Sequence, residues 1–427
     1  MYKYIIEGSY PIQGKIRPSG NKNAALPCLA ATLLTDEPVI LRNIPQLEDV
    51  QVMIKILKVL GSEVEKIGDN DYKITTINIK SDEVPIELAS KVRASILFAG
   101  PILARLGRVV LPPPGGDVIG RRRLDTHFLA LKEFGARIDI NGIFTIQANK
   151  LKGKDIFLDE ASVTATENAI MVAVLVDGDS VIQNAAAEPH VQDLCNMLNS
   201  MGAQITGIGS NILHIKGVKK LKGAEFTISP DYMEVGSFIG LAAVTRGDIE
   251  IVDAAPQFQR MTKIAFAKMG ISWEVDEENI KVHASQELRV EPDFGGMIPK
   301  IDDAPWPGFP ADLTSIALVV ATQVQGNILI HEKMFESRMF FVDKLINMGA
   351  RIVLCDPHRA VVSGPCRLKG TEMASPDVRA GMAMVIAALC AEGTSVLHNV
   401  YQIERGYEKI VARLRALGAR IKRVVDT

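Results

Sequence analysis

Six segments of the sequence place polar or charged residues at the start of a strongly apolar run. These residues are Lys22 and Asn23, Arg93, the run from Ser162 to Thr164, Asp231, Asp312, and Asp377 with Arg379. Charged groups are costly in a core element unless something requires them there. Free N–H groups at a helix N-terminus bind anions, so cations at the same end predict a site for an anionic ligand.

Helix capping is the simpler interpretation of some of these residues. It fits Ser162, Thr164 and Asp231, because side-chain oxygens of these types accept hydrogen bonds from the first N–H groups of a helix. It does not fit Lys22, Arg93 and Arg379, because a cation at a helix N-terminus opposes the helix dipole. Capping therefore accounts for Ser162, Thr164 and Asp231, whereas a site for an anionic ligand accounts for Lys22, Arg93 and Arg379.

Further arginines stand in loops that lead to a second set of helices: Arg121, Arg122, Arg123, Arg338 and Arg405. An arginine triplet is usually only a solvated surface. Here its loop also carries the run from Leu111 to Asp117, which is stiff at its prolines and flexible at its glycines, as a lid requires. Asp117 by itself is typical of a turn, but the neighbouring arginines raise a functional alternative. His127 fits a structural role and a site role equally well.

An internal repeat sets the frame for these residues. Six helical segments end in an apolar residue and a glycine, and these glycines are 67 to 79 positions apart: Gly61, Gly135, Gly202, Gly270, Gly349 and Gly418. Glycine ends a helix there in the left-handed conformation. Each unit reads as a buried helix, a strand, an amphipathic helix and two strands, with Leu313 to Ala321 and Val378 to Leu389 as buried helices. Six such units predict an α/β protein with two domains of three repeats.

The composition excludes several classes of protein. The 427 residues include 48 Lys plus Arg and 50 Asp plus Glu, which gives a net charge of 48 − 50 = −2. The chain therefore has no overall positive charge that would attract nucleic acid or an anionic membrane. The densest apolar run, from Met382 to Ala391, is too short to span a bilayer, and no secretory signal is recognisable. We expect a cytoplasmic protein with five reduced cysteines. A phosphate loop, a dinucleotide fingerprint and a zinc-protease motif are all missing from the sequence.

Five segments together carry a resemblance to a known family. They are Pro18 to Ala25, Arg93 to Ile96, Pro114 to Gly120 with Arg122 and Asp125, Phe309 to Asp312, and Glu404 to Tyr407. Their order and spacing closely resemble those of the UDP-N-acetylglucosamine 1-carboxyvinyltransferases, which are enolpyruvyl transferases, over essentially the whole chain. The resemblance implies an inside-out α/β barrel fold of six repeats. It implies one domain at 22–229, a second at 1–21 and 230–427, and an active site in the cleft between them.

The resemblance also implies a reaction. The enolpyruvyl group of phosphoenolpyruvate is transferred to the 3-hydroxyl of UDP-N-acetylglucosamine and phosphate is released, which is the first committed step of peptidoglycan synthesis. Asp312 is then the base or the carboxylate that orients the hydroxyl, and Asp117 is the acid. Lys22, Arg122 and Arg405 hold the phosphate, and Arg338 and Arg379 lie near the carboxylate.

Other positions match those that bind substrate, mainly the nucleotide sugar: Asn23, Arg93, Arg123, Leu124, Asp125, Ser162, Val163, Asp312, Met334 and Asp377. The implied partners are these two small molecules, with no nucleic acid, no membrane, no metal and no organic cofactor. The implied oligomeric state is a monomer or a weak homo-oligomer.

Two positions depart from the family pattern. Asp117 stands where most members have a cysteine, and a carboxylate is a poor substitute for a thiolate nucleophile. We therefore expect insensitivity to the epoxide antibiotic fosfomycin, which alkylates that cysteine. Glu160 stands where many members have a lysine near the diphosphate, which weakens the expectation of a contact there.

Three other functions compete with this interpretation. The sister enzymes that use shikimate 3-phosphate share the fold and the donor, but they lack the Gly20-Asn21-Lys22-Asn23 motif and the Pro-Gly-Gly-Asp lid. A nucleic-acid clamp would line one helical face with cations, whereas these arginines gather in loops and helix starts. A catalytically silent paralogue is disfavoured by the complete set of Lys22, Asp117, Asp312 and Arg405.

Overall fold

The computed structural model describes residues 2–116 and 123–426. These residues form two compact units. One unit contains residues 2–19 and 230–426 and is called the terminal unit below. The other contains residues 20–116 and 123–229 and is called the inserted unit.

Helices begin and end as follows: α1 (Lys22–Ala31), α2 (Glu48–Val59), α3 (Ile86–Ala89), α4 (Ala99–Leu106), α5 (Asp125–Glu133), α6 (Val163–Ala173), α7 (Pro189–Ser200), α8 (Tyr232–Val244), α9 (Arg260–Ala267), α10 (Thr314–Ala321), α11 (Val342–Asn347), α12 (Val378–Cys390), α13 (Tyr401–Glu404) and α14 (Ile410–Ala416). Short 3₁₀ segments cover Thr32–Leu34, Arg93–Phe98, Pro256–Gln259 and Ala311–Leu313. The segments at Arg93 and Ala311 lead directly into α4 and α10.

The strands are β1 (Tyr2–Glu7), β2 (Gln13–Ile16), β3 (Val39–Arg42), β4 (Glu63–Lys66), β5 (Tyr72–Thr75), β6 (Arg108–Leu111), β7 (Arg137–Ile140), β8 (Phe144–Gln147), β9 (Asp155–Phe157), β10 (Asp179–Gln183), β11 (Gln204–Thr206), β12 (Ile212–Lys216), β13 (Glu225–Thr227), β14 (Asp248–Ile251), β15 (Glu274–Asp276), β16 (Asn279–Val282), β17 (Lys300–Asp302), β18 (Gly326–His331), β19 (Arg351–Asp356), β20 (Arg359–Gly364), β21 (Glu372–Ala374), β22 (Thr394–His398) and β23 (Arg420–Val425).

The repeat unit has the predicted order of elements. In the first copy α1 is the buried helix, β3 follows it, α2 is amphipathic, and β4 and β5 complete the unit. All six repeat glycines have positive φ, between 71° and 109°. This conformation is nearly free of strain only for glycine, which explains the recurrence of that residue at the helix ends.

In the last copy the amphipathic helix differs from the prediction. It is divided into α13 and α14, with Lys409 in the left-handed conformation at φ 47° between them. Tyr407 therefore lies outside a helix, although its side chain is buried as expected.

Each unit encloses its own core. All thirteen residues of α8 are buried, as are twelve of the thirteen in α12. Strands such as β3 and β22 alternate between buried and partly exposed residues. The apolar helices therefore lie inside each unit, and the sheets cover them with one face. Within the described residues, no helix is both long and apolar enough to cross a membrane.

The described strands form six sheets, three in each unit. Those of the inserted unit have the orders β13-β3-β5-β4, β6-β8-β7 and β11-β12-β10-β9. Those of the terminal unit have the orders β21-β22-β1-β23, β15-β16-β14-β2 and β17-β18-β20-β19. None of these six sheets closes on itself.

A fourth strand in five of the sheets was missed by the sequence analysis. In three sheets it precedes the buried helix and pairs in parallel with the strand after that helix, as β17 does with β18. In two sheets the strands are exchanged: β2 pairs with β14, and β13 pairs with β3. These strands have only three or four residues, too few to show a clear alternation of apolar and polar side chains.

Candidate active site

A cluster of charged side chains lies in the terminal unit at the starts of α10 and α12. Asp312, in the 3₁₀ turn before α10, accepts a hydrogen bond from Arg338 through Oδ1 and one from Arg379 Nε through Oδ2, the latter at 2.9 Å. The side chains of Arg338 and Arg379 are 6% and 5% exposed, whereas that of Asp312 is 23% exposed. The carboxylate thus faces solvent on one side and two buried guanidinium groups on the other.

The N-terminus of α12 tolerates Arg379 because a carboxylate caps it. Asp377 Oδ1 accepts hydrogen bonds from the backbone N–H groups of Arg379 and Ala380 at 2.8 and 3.0 Å. It also lies 3.9 Å from Arg338 Nη1. Asp377 therefore offsets the repulsion between the helix dipole and the arginines.

Both arginines stay charged in this cluster. Burial acts to lower the pKa of each guanidinium, but the neighbouring carboxylates, Asp312 above all, outweigh it and raise the pKa above its usual value. Two of their donors, Arg338 Nε and Arg379 Nη1, are buried and have no hydrogen-bond partner among the described residues. Orphan buried donors of this kind can bind an anionic ligand.

Two other predicted residues lie in the same unit. Arg405 directly follows α13, is buried, and donates through Nη1 to Gln402 Oε1 at 3.4 Å. Met334 precedes Arg338 by four residues, and its side chain is 40% exposed. The exposed thioether is available to a ligand.

In the inserted unit, Lys22 is the first residue of α1. Its Nζ lies 3.2 Å from Asp49 Oδ2 in the first turn of α2. The cap of α1 is Asn21, which accepts hydrogen bonds from the N–H groups of Asn23 and Ala24 at 2.9 and 3.3 Å. Asn23 itself is half-buried. Asp49 and Asn21 were both missed; Asn21 has the residue type and position of a cap, but Asp49 gave no sequence signal.

Arg93 and the segment after the undescribed residues form a second group in this unit. Arg93 donates to the carbonyl of Arg123 at 3.3 Å, and Arg123 Nε donates to Asp125 Oδ2 at 2.8 Å. The Arg123 and Asp125 side chains are 49% and 60% exposed. Leu124 precedes α5 and packs partly against the core. Arg93, Arg123 and Asp125 are thus brought together at the start of α5.

The capping interpretation is wrong for two residues at α6. Ser162 occupies the N-cap position, but among the described residues its side chain makes no capping bond. Thr164 lies inside the helix, and its hydroxyl pairs with His127 Nε2 at 3.0 Å instead. Val163 begins the helix and is half-buried. The Thr164 hydroxyl is bound by His127 of α5, and no local sequence pattern predicts that contact.

His127 has a structural environment. It is buried, and its Nδ1 lies 2.9 Å from the side-chain amide nitrogen of Asn168, which must donate. Nε2 then carries the proton and donates to Thr164. Burial, assisted by the positive charge of Arg93, lowers its pKa to about 3. The imidazole is neutral and links α5 to α6.

At α8 the capping interpretation is confirmed. Asp231 Oδ1 accepts hydrogen bonds from the N–H groups of Met233 and Glu234 at 2.9 and 3.4 Å. Two predicted residues, the acid Asp117 and the phosphate ligand Arg122, lie outside the described residues, as does Arg121.

Sequence comparisons relate the chain to enzymes that transfer a carboxyvinyl group. The family model for EPSP synthase (3-phosphoshikimate 1-carboxyvinyltransferase) matches residues 6–414. A protein of Treponema denticola is 64% identical, covering 99% of both chains, and one of Treponema pallidum is 63% identical, covering 98% of both. A third, from Bradyrhizobium diazoefficiens, is 55% identical and covers 99% of this chain and 98% of its own. All three are named UDP-N-acetylglucosamine 1-carboxyvinyltransferase.

The chain belongs to the enolpyruvyl transferase family. Solved structures of enolpyruvyl transferases share its fold. NikO of Streptomyces tendae aligns with a TM-score of 0.89 at 22% identity, covering 100% of this chain and 99% of its own. EPSP synthase of Acinetobacter baumannii aligns with a TM-score of 0.78 at 16% identity, covering 100% of both chains. The predicted α/β enolpyruvyl transferase fold is confirmed.

Proposed function

We propose that this enolpyruvyl transferase moves the enolpyruvyl group of phosphoenolpyruvate to the 3-hydroxyl of UDP-N-acetylglucosamine and releases phosphate. The observation that carries the proposal is the identity of 55% to 64%, over nearly full length, to proteins named for that reaction. The family model is named for the sister reaction on shikimate 3-phosphate. However, the solved EPSP synthase of Acinetobacter baumannii is only 16% identical to this chain. The nucleotide sugar is therefore the favoured acceptor.

The reaction needs a base for the hydroxyl of the acceptor sugar and an acid for C3 of phosphoenolpyruvate. Asp312 accepts the proton of the sugar hydroxyl as that oxygen bonds to C2 of phosphoenolpyruvate, and Asp117 donates a proton to C3. Loss of a C3 proton and cleavage of the bond between C2 and the phosphate oxygen then restore the double bond and release phosphate. The bonds from Arg338 and Arg379 support this role for Asp312, because they hold its carboxylate in one orientation.

The anionic donor requires several cations. The unpartnered donors of Arg338 and Arg379 suit the carboxylate of phosphoenolpyruvate. Lys22, Arg122 and Arg405 are assigned to its phosphate.

The nucleotide sugar is assigned to a larger set of residues: Asn23, Arg93, Arg123, Leu124, Asp125, Ser162, Val163, Met334 and Asp377. Ser162 supports this role because its hydroxyl, at a helix N-terminus, is not used as a cap. The pathway that follows from the proposed product is peptidoglycan synthesis. The two proposed substrates support the expectation of a cytoplasmic reaction.

Phosphate release tests the proposal directly. The full chain is assayed with phosphoenolpyruvate and either UDP-N-acetylglucosamine or shikimate 3-phosphate, with Asp117→Asn beside it. We expect turnover only with the nucleotide sugar, and a loss of about a hundredfold or more in the variant, because Asn cannot donate the proton. Turnover with shikimate 3-phosphate would move the protein to the sister reaction. Ligand binding without turnover would favour a silent paralogue.

Resistance to fosfomycin follows from Asp117. The parent should keep full activity and gain no mass with the antibiotic, because a carboxylate is a far weaker nucleophile than a thiolate. Asp117→Cys should gain one equivalent of covalent adduct and lose activity with time. A stoichiometric adduct on Asp117 itself, located by mass spectrometry, would refute the prediction.

A further inference from the structure

Two carboxyl groups with no assigned role lie buried beside the segment that carries Met334 and Arg338. Asp303 follows β17, Glu332 follows β18, and both residues are 0% exposed. The two strands are parallel neighbours, so their ends bring the two acids to the same edge of the sheet. Buried acids of this kind are costly unless they make specific bonds.

The bonds that these acids make are to the backbone of residues 333–335. Asp303 accepts from the N–H of Lys333 through Oδ1 and from that of Met334 through Oδ2, the second at 3.2 Å. Glu332 Oε1 accepts from the N–H groups of Met334 and Phe335 at 3.3 and 3.2 Å. Three consecutive N–H groups are thus fixed by two side chains, which defines the path of the segment.

Phe335 connects this anchored backbone to the candidate active site. Its ring centroid lies 5.3 Å from the guanidinium carbon of Arg338, a cation–π distance. Its carbonyl accepts the backbone N–H of Arg338 at 3.4 Å. Arg338 in turn donates to Asp312. A continuous set of contacts therefore leads from the buried acids to the proposed base.

We propose that Asp303 and Glu332 are positioning residues that hold Arg338 against Asp312 during enolpyruvyl transfer. The assignment rests on the proposed function for its kinetic consequences, but the geometry it describes can be measured without turnover.

The state of the acid pair follows from its surroundings. Burial and the adjacent carboxyl of Asp303 raise the pKa of Glu332, and the positive charge of Arg338 acts in the opposite direction. Thr314, from α10, contributes a hydroxyl to the same region.

Two other polar groups nearby, on Lys333 and His358, are directed elsewhere. The Lys333 ammonium bonds Asp302 at 2.8 Å, and the His358 ring bonds the Glu332 carbonyl rather than its carboxyl. The raised pKa of Glu332 favours its neutral form, and glutamine is a close neutral mimic of that form.

The decisive comparison is between Glu332→Gln and Glu332→Ala. Glutamine keeps an acceptor for the N–H groups of Met334 and Phe335, so we expect parental kcat and KM. Alanine removes it, and a shift of Arg338 of the order of 1 Å should lower kcat about ten- to a hundredfold. Asp302→Asn is the matched control, because it removes a neighbouring acid whose ion pairs among the described residues are with Lys300 and Lys333; it should keep parental kinetics.

A double-mutant cycle separates positioning from general destabilisation. If Glu332 acts through Arg338, Glu332→Ala should cost much less in an Arg338→Lys background than in the parent. Additive effects, with both single variants folded, would overturn the proposal. If Glu332→Ala does not fold, Phe335→Leu serves instead, because it keeps the backbone N–H groups and removes the ring beside Arg338. Parental kinetics in that variant would equally overturn it.

Crystal structures keep this test independent of the proposed reaction. In Glu332→Ala we expect the guanidinium of Arg338 to move away from Asp312, and in Glu332→Gln to stay. If Arg338 keeps its position beside Asp312 in the alanine variant, the inference is overturned even if the enzyme is active. A displaced Arg338 in a protein that turns over neither acceptor would uphold it while refuting the proposed function.

Discussion

The predicted site residues of the two units differ in how far they are already paired. In the terminal unit, Asp312 binds two arginines whose side chains are 5% and 6% exposed. In the inserted unit, Arg123 and Asp125 form an ion pair whose side chains are 49% and 60% exposed. The Asp312 cluster is held by buried protein neighbours, whereas the pair of Arg123 and Asp125 is exposed to solvent.

This difference has an energetic meaning. An exposed ion pair contributes little, because water competes for both charges and the side chains lose rotamer entropy. A buried guanidinium is already desolvated, so a ligand that binds it avoids that cost. The Asp312 cluster of the terminal unit is therefore already desolvated and ordered by its protein neighbours. In the inserted unit, the side chains of Arg123 and Asp125 are open to solvent, whereas Lys22 is already paired with Asp49.

Removal of the charge at the centre of the terminal cluster should have the largest effect. Asp312→Asn keeps the shape of the side chain but cannot accept the hydroxyl proton, so we expect kcat for phosphate release to fall by about 10²- to 10⁴-fold. Asp343→Asn, an exposed acid in the same unit, is the control. Parental kcat in Asp312→Asn would end its assignment as base.

The same conservative exchange in both units gives the sharpest contrast. Arg379→Lys removes the planar donor that binds Asp312 and leaves a buried gap, so we expect a loss of about tenfold or more in kcat/KM. Arg123→Lys keeps the charge at an exposed site and should change kcat/KM by less than about threefold. Equal losses in the two variants would erase the distinction between the units.

The two units also contain histidines whose effects on stability have opposite signs with pH. Burial lowers the pKa of His127 to about 3 in the folded protein, against 6.5 for an unperturbed group. The unfolded chain alone binds the proton between these values, so stability is complete above 6.5 and falls as the pH drops below it, by up to about 1.4 kcal/mol per pH unit. Denaturant unfolding of parent and His127→Gln between pH 4 and 7 should show a smaller slope in the variant; identical slopes would contradict the neutral buried imidazole.

His398 in the terminal unit should show a smaller, inverse effect. Hydrogen bonds to Asp426 and Glu372, both at 2.7 Å, raise its pKa above 6.5. Its contribution is therefore complete below 6.5 and is lost as the pH rises through the folded value. Because the pair is partly exposed, we expect less than about 1 kcal/mol, measured as the difference between parent and His398→Gln at pH 6 and pH 9. A variant that loses more at pH 9 than at pH 6 would reverse the assigned sign.

The sequence by itself determined the repeated architecture. Apolar helices, amphipathic helices and left-handed glycines are read from side-chain periodicity and from the conformational freedom of one residue type, and both are local properties. The family motifs around Lys22, Arg93, Asp312 and Arg405 are likewise contiguous in the chain. Local signals of this kind were sufficient for the α/β class and the six repeats. The enolpyruvyl transferase fold and most residues of the candidate site were implied by the family resemblance, and the roles of those residues stay predictions.

Only the tertiary structure decided which groups meet. Arg379 lies 67 positions from Asp312, to which it donates a hydrogen bond. His127 lies 37 positions from Thr164, whose hydroxyl it binds although the sequence suggested a capping role for that group. The exchange of β2 and β13 between sheets depends on pairings between residues 235 and 185 positions apart. A buried polar group binds whatever partner packing brings to it, and that partner is set by the assembled core rather than by neighbours in sequence.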